Sequence, residues 1–166
     1  MRHSRLFILA LIVIGSLATA QNNRVLEKAG GFSYLLPKGW VAKAIPGYKY
    51  QFAFAPPSQS FAPNINFVDE AFGGSLQDYV AGNKTAMTKA FKKYRLLSEA
   101  RAATANVGDA VKLTIQDEQN GKLLSQTFYF VDAGSKKFVI TCTTLPNQRA
   151  SLEPQCDELV KSFKLE

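Results

Sequence analysis

The side chains best able to do chemistry fall into three groups. Three acid pairs are adjacent in the chain, Asp69-Glu70, Asp117-Glu118 and Asp157-Glu158, and there are two cysteines, Cys142 and Cys156. The third group is aromatic: Trp40, Tyr48, Tyr50 and Phe52 stand close together, with Phe61 and Asn64 shortly after. Adjacent residues on a strand point to opposite faces, and Asp117-Glu118 sits beside a turn signal. No convergent partner is evident, so the acids read as solvated carboxylates ahead of a metal site or an acid–base pair. The aromatic group could line a groove for an extended peptide or an apolar helix. Aromatic residues also dominate ordinary cores, and packing is the stronger claim on Trp40, Tyr48, Tyr50 and Phe52. Phe61, Pro63 and Asn64 read first as a loop that orders its own backbone, the asparagine bonding a local amide.

The single histidine is His3, within a stretch that has the form of a secretory leader. Arg2, His3 and Arg5 make a positive beginning, Leu6 to Leu17 is nearly unbroken apolar, and Ala18-Thr19-Ala20 is a small-residue exit before Gln21. The run is short for a membrane span of roughly 20 apolar residues, so cleavage is expected rather than anchoring. No cysteine follows the run to accept a lipid. Residues 1–20 are therefore expected to be a cleaved signal peptide, 21–30 a short tail, and 31–166 a single domain. With the leader gone the chain has no imidazole, which excludes Ser-His-Asp and Cys-His catalysis and histidine metal ligation. Gly73-Gly74-Ser75 lacks the Gly-Lys-Ser/Thr that a phosphate loop needs. Neither a metal nor a cofactor is expected.

Of 20 basic residues the leader takes two, and it takes none of the 13 acids, leaving 18 against 13. A surplus of that size keeps a domain soluble, and no basic block of five or six residues marks a nucleic-acid tail. Export disfavours nucleic acid further. The remaining 146 residues are enough for one domain with a real core.

These side chains need elements to place them. Arg24 to Lys28 reads as a helical turn, and Phe32–Leu36 and Trp40–Ile45 as strands either side of Pro37-Lys38-Gly39, together a first hairpin with Trp40 inward. Tyr50–Phe54 alternates as a half-buried strand, Ala55 to Ser60 is a loop, and Asn64–Val68 is the next strand. Ser75 caps a helix whose apolar face carries Leu76, Tyr79, Val80, Met87, Ala90 and Phe91, with Lys84, Lys89, Lys92 and Lys93 mostly off that face in solvent. Four antiparallel strands then fill residues 94–144, with Asn120-Gly121 a strong hairpin signal. A last helix begins at the turn of Ser151, Glu153 and Pro154 and carries Leu152, Cys156, Leu159, Val160 and Phe163 on one stripe. Cys142 and Cys156 lie on core faces of sequential elements. An exported chain with an even cysteine count favours a disulfide between them over two buried thiols, and the spacing is far from a redox C-x-x-C.

The order of these features resembles the PsbP-like family. Tyr34-Leu-Leu-Pro-Lys-Gly-Trp40 looks like its opening motif, Ser60-Phe61-Ala62-Pro63-Asn64-Ile65 like its next landmark, and Val160-Lys161-Ser162-Phe163 like its end. The family includes photosystem II extrinsic subunits, periplasmic DcrB-type proteins and a nuclear Ran-binding relative. The resemblance implies an α+β fold, a central antiparallel β-sheet with helices packed on its faces in an α/β/α sandwich. It also implies a binding or assembly role without a shared ligand. Histidines of the photosystem subunits have no counterparts here, so the DcrB-like envelope members are the better match. The expectation is a periplasmic or secreted, non-enzymatic protein that binds another envelope protein, with no stable membrane anchor. The competing function is a carboxylate- or Ser/Lys-dependent hydrolase, for which no motif stands out.

Overall fold

A computed structural model describes residues 23–58 and 61–166. The leader and Ser60 of the second landmark lie outside the described residues. Among the described residues, ten strands and two helices follow one another as β1 (Arg24–Glu27), β2 (Phe32–Leu35), β3 (Val41–Lys43), β4 (Phe52–Phe54), β5 (Asn64–Ala71), α1 (Leu76–Ala90), β6 (Lys92–Ala103), β7 (Asp109–Gln119), β8 (Lys122–Ala133), β9 (Lys136–Thr144), α2 (Arg149–Ser162) and β10 (Lys164–Leu165). They form a seven-stranded sheet in the order β3-β4-β5-β9-β8-β7-β6 and a small sheet β1-β2-β10, with every pairing antiparallel. The fold is thus mixed α+β, antiparallel sheets with two helices.

The meander of β6 to β9 follows from alternating sequence and tight turns. Asn120 and Gly121 both take positive φ, 50° and 76°, which is what a two-residue turn between right-twisted strands requires. β7 and β8 then run in register from Gln119↔Lys122 to Ala110↔Val131. Successive residues of β8 serve two different cores. Phe128 and Phe130 pack with Leu113, Ile115 and the apolar stripe of α1, Leu76, Tyr79, Val80 and Met87. Tyr129 and Val131 join Phe32, Tyr34, Phe67, Phe138 and the α2 residues Cys156, Leu159 and Val160. Alternation along a strand puts these cores on opposite faces of the large sheet.

α1 begins as expected. The Ser75 hydroxyl accepts from the backbone N–H of Asp78 at 3.1 Å, and Phe91 closes the helix with its N–H on the Met87 carbonyl. Lys84 and Lys93 reach across to Glu99 and Glu118 as exposed ion pairs. The two cysteines are joined as a disulfide from β9 to α2, with Cα atoms 6.3 Å apart and both residues buried.

Three local expectations are corrected. Arg24–Glu27 is a strand rather than a helical turn: its backbone pairs with β2, and Glu27 accepts from the Gln51 N–H at 3.1 Å. The segments around Pro37-Lys38-Gly39 are not a hairpin. Both edges of β2 are already taken, by β1 and by β10 from the far end of the chain, so β3 pairs with β4 in the other sheet. The last helix starts at Arg149, with Pro154 inside it. Gln148 already has right-handed helical backbone angles, which begins the helix two residues ahead of Ser151.

Candidate functional site

The six residues singled out from the sequence part company. Trp40 is core, 6% exposed, its indole N–H donating to Gln155 Oε1 at 2.8 Å under α2. Tyr50, 3% exposed, meets Phe32 edge-on with ring centroids 4.9 Å apart. Tyr48 is 60% exposed and stands perpendicular to the half-buried Phe52 at 4.7 Å, while Phe52 stacks along Phe54 at 5.9 Å. Phe61 and Asn64 line a separate polar cleft. The structure therefore brings together Tyr48 with Phe52, and Phe61 with Asn64, and assigns Trp40 and Tyr50 to packing.

Strand register shows what these two pairs share. Val41 lies opposite Phe54 and Lys43 opposite Phe52; Phe54 lies opposite Asn64, Asn64 opposite Thr143, and Thr143 opposite Gln126, which faces Ile115. Directly opposed residues of antiparallel strands point to one side. Ile115 belongs to the core beneath α1, so Val41, Phe52, Phe54, Asn64, Thr143 and Gln126 all stand on the α1 face. The residues that pack with α1 come chiefly from β7 and β8. Among the described residues no helix packs on this face towards β3, β4 and β5, and there it changes character: exposed Val41 and the half-buried phenylalanines of β4 at one side, carboxamides in the middle.

The middle is a cleft of about 480 Å³ bordered by Phe61, Asn64, Asn66, Gln119, Lys122 and Gln126 among others. Asp117 organises its wall. The expectation of a solvated carboxylate fails here: Asp117 is 0% exposed, with Oδ1 accepting from Gln126 Nε2 at 2.8 Å and Oδ2 from Gln119 Nε2 at 2.9 Å. A buried carboxylate is tolerable because both oxygens have amide donors. Asn64 donates to the Ala62 carbonyl at 3.2 Å, and the Lys122 ammonium sits 5.6 Å from the centre of the Phe61 ring. Asn66, Gln119 and Gln126 were not singled out from the sequence. The one available signal was that Asn64 and Asn66 alternate with Ile65 and Phe67, giving a polar face to a strand in the middle of a sheet.

Other acids hold lysines. Glu153 and Asp157 of α2 take the Lys112 ammonium at 2.7 and 2.8 Å, and the Tyr129 hydroxyl donates to Asp157 at 2.7 Å. Burial would lower the Lys112 pKa, but Asp157 and Glu153 outweigh it and hold the ammonium above its ordinary value. Burial first, then the Asp157 hydrogen bond, drives the Tyr129 phenol far upward. The Asp69-Glu70 pair splits across β5 as its period demands. Asp69 meets Lys49 at 2.8 Å and Lys136 at 3.0 Å, and Glu70 accepts from Tyr79 of α1 at 2.8 Å. Burial raises Asp69, yet the bonds from Lys49 and Lys136 win and leave it at about 2. These pairings pin elements together; as arranged, none combines a free base with a nucleophile.

No protein-family model and no curated protein sequence matches the chain. Solved structures do. The solution structure of cyanobacterial PsbP (CyanoP) from Synechocystis sp. PCC 6803 superposes with a TM-score of 0.62 at 12% identity, covering 92% of this chain and 99% of that one. LpqN, described as involved in cell envelope biogenesis of Mycobacterium tuberculosis, gives 0.63 at 13% identity, covering 81% and 82%. A protein of unknown function from Pseudomonas aeruginosa, PA94, gives 0.60 at 16%, covering 74% and 94%. The likeness is one of fold, and the fold is PsbP-like.

Proposed function

We propose that this chain is an exported, non-enzymatic binding or assembly factor of the bacterial envelope, of the DcrB-like kind. Its two helices would flank the large sheet as in the family's α/β/α sandwich. Its partner is another envelope protein, which inserts an apolar segment against Val41, Tyr48, Phe52 and Phe54 at the open end of the sheet. The observation that carries this reading is that open aromatic strip, on a side of the sheet that α1 leaves bare. Exposed aromatic clusters are typical anchors of protein interfaces. Two further observations support the compartment: the Cys142–Cys156 disulfide, a bond that persists in oxidising surroundings, and the fold shared with LpqN. The acids are engaged with lysines and amides, which favours binding over hydrolysis. Cross-linking of tagged protein in its native envelope tests the reading. One specific protein adduct is expected; no adduct would overturn it, and turnover of a small-molecule ester or amide by the purified protein would favour the hydrolase instead.

A further inference from the structure

The amide-lined cleft lies beside the aromatic strip but offers different chemistry. Its lining is dominated by carboxamides, Asn64, Asn66, Gln119, Asn120 and Gln126, with Thr143 adding a hydroxyl. Each carboxamide offers both donors and acceptors. Gln126 and Gln119 are oriented: each spends one N–H on buried Asp117, which fixes the amide and leaves its carbonyl oxygen and its second N–H for a ligand. The Asn66 carboxamide makes no hydrogen bond among the described residues and lines the cleft from the centre of β5. Phe61 stands at the border as an apolar platform, its ring beneath Lys122.

We propose that this cleft binds a neutral carbohydrate, one or two sugar rings of an envelope glycan. Vicinal hydroxyls donate and accept in pairs, which is what a fixed row of carboxamides can satisfy. A sugar ring also has a C–H face that rests on an aromatic side chain. A site built to bond hydroxyls discriminates strongly, because a ligand without them leaves its polar groups unpaired. Competing ligands fit less well. An anion would find Lys122 as the one cation on the lining among the described residues. An extended peptide needs an unpaired strand edge, yet β7, β8 and β9 are paired on both sides and β5 is paired on both sides at Asn64 and Ile65, where it enters the cleft. The sugar is held and not cut. Glycoside hydrolysis takes two carboxyl groups across the bond, and the Asp117 oxygens at this wall are both engaged with glutamine amides.

The test is titration of ¹⁵N-labelled protein with chitotetraose, cellotetraose and maltotetraose, following the side-chain NH₂ signals of asparagine and glutamine. Tetra-alanine and inorganic phosphate serve as the comparison. The expected result is saturable shifts of the Asn66, Gln119 and Gln126 amide signals with at least one oligosaccharide. Affinity should fall tenfold or more in Phe61→Ala, a loop substitution, and in Asn66→Ala, each checked for an otherwise unchanged spectrum. Silence with all three sugars, equal or stronger shifts with tetra-alanine or phosphate, or undiminished affinity in both folded variants would overturn the proposal. None of these results depends on the aromatic strip, so the two sites stand or fall separately.

Discussion

With no solvent contact of its own, the Asp117 carboxylate is stable only through the amides of Gln126 and Gln119. Asp117→Ala leaves both amides short of a partner and should cost about 2–3 kcal/mol in urea unfolding. Asp117→Asn, whose oxygen can still accept one N–H, should cost clearly less. Asp69 acts at low pH. Its pKa falls from the ordinary 3.8 to about 2 in the fold, so its contribution is fully present above about pH 4 and is lost as pH drops through 2. Lys49 and Lys136 are half-exposed, which screens the pairs and leaves about 1 kcal/mol of pH-dependent stability. Acid titrations of unfolding free energy should therefore flatten between pH 4 and 2 in Asp69→Asn. A slope there unchanged from the parent would show that the lysines do not hold this carboxylate in solution.

Among the elements, the disulfide from β9 to α2 closes a loop of sequence separation 14, worth roughly 3 kcal/mol in the chain-entropy model. Cys142→Ala/Cys156→Ala should lower Tm by roughly 10 °C, and a reducing agent should lower the parent to match while leaving the double variant where it is. The bond was readable beforehand because compartment, parity and core-facing positions agreed. The β6–β9 meander was readable for a similar reason: each strand pairs with its neighbour in sequence, and Asn120-Gly121 marks the turn. β1 and β2 were not. β1 is four residues long with no clean alternation, and β2 is claimed on one side by β10, residues 164–165. The Pro37-Lys38-Gly39 turn signal is local and carries no trace of that distant claim, so the hairpin it suggested gave way. Trp40 was placed inward correctly, but under α2, where Gln155 receives its N–H.

At the scale of the molecule, one helix covers only part of a seven-stranded sheet. The uncovered part was largely hidden in the sequence, because Phe54, Asn64, Thr143 and Gln126 come from four strands and only register lines them up. Spacing grouped Tyr48, Tyr50 and Phe52 together; it could not separate Tyr50 from the other two, because Tyr50 turns to Phe32 of β2, a contact from outside its own segment. In the function proposed above, a partner protein touches the aromatic end of this face. A photo-activatable residue in place of Phe52, compared with one in place of exposed Lys89 on α1, measures this in the native envelope. One discrete protein adduct is expected from position 52, none from position 89, and loss of the adduct when Tyr48→Ser and Phe54→Ser are added to a protein that still folds. Equal labelling from both positions, or an adduct that survives those substitutions, would contradict it.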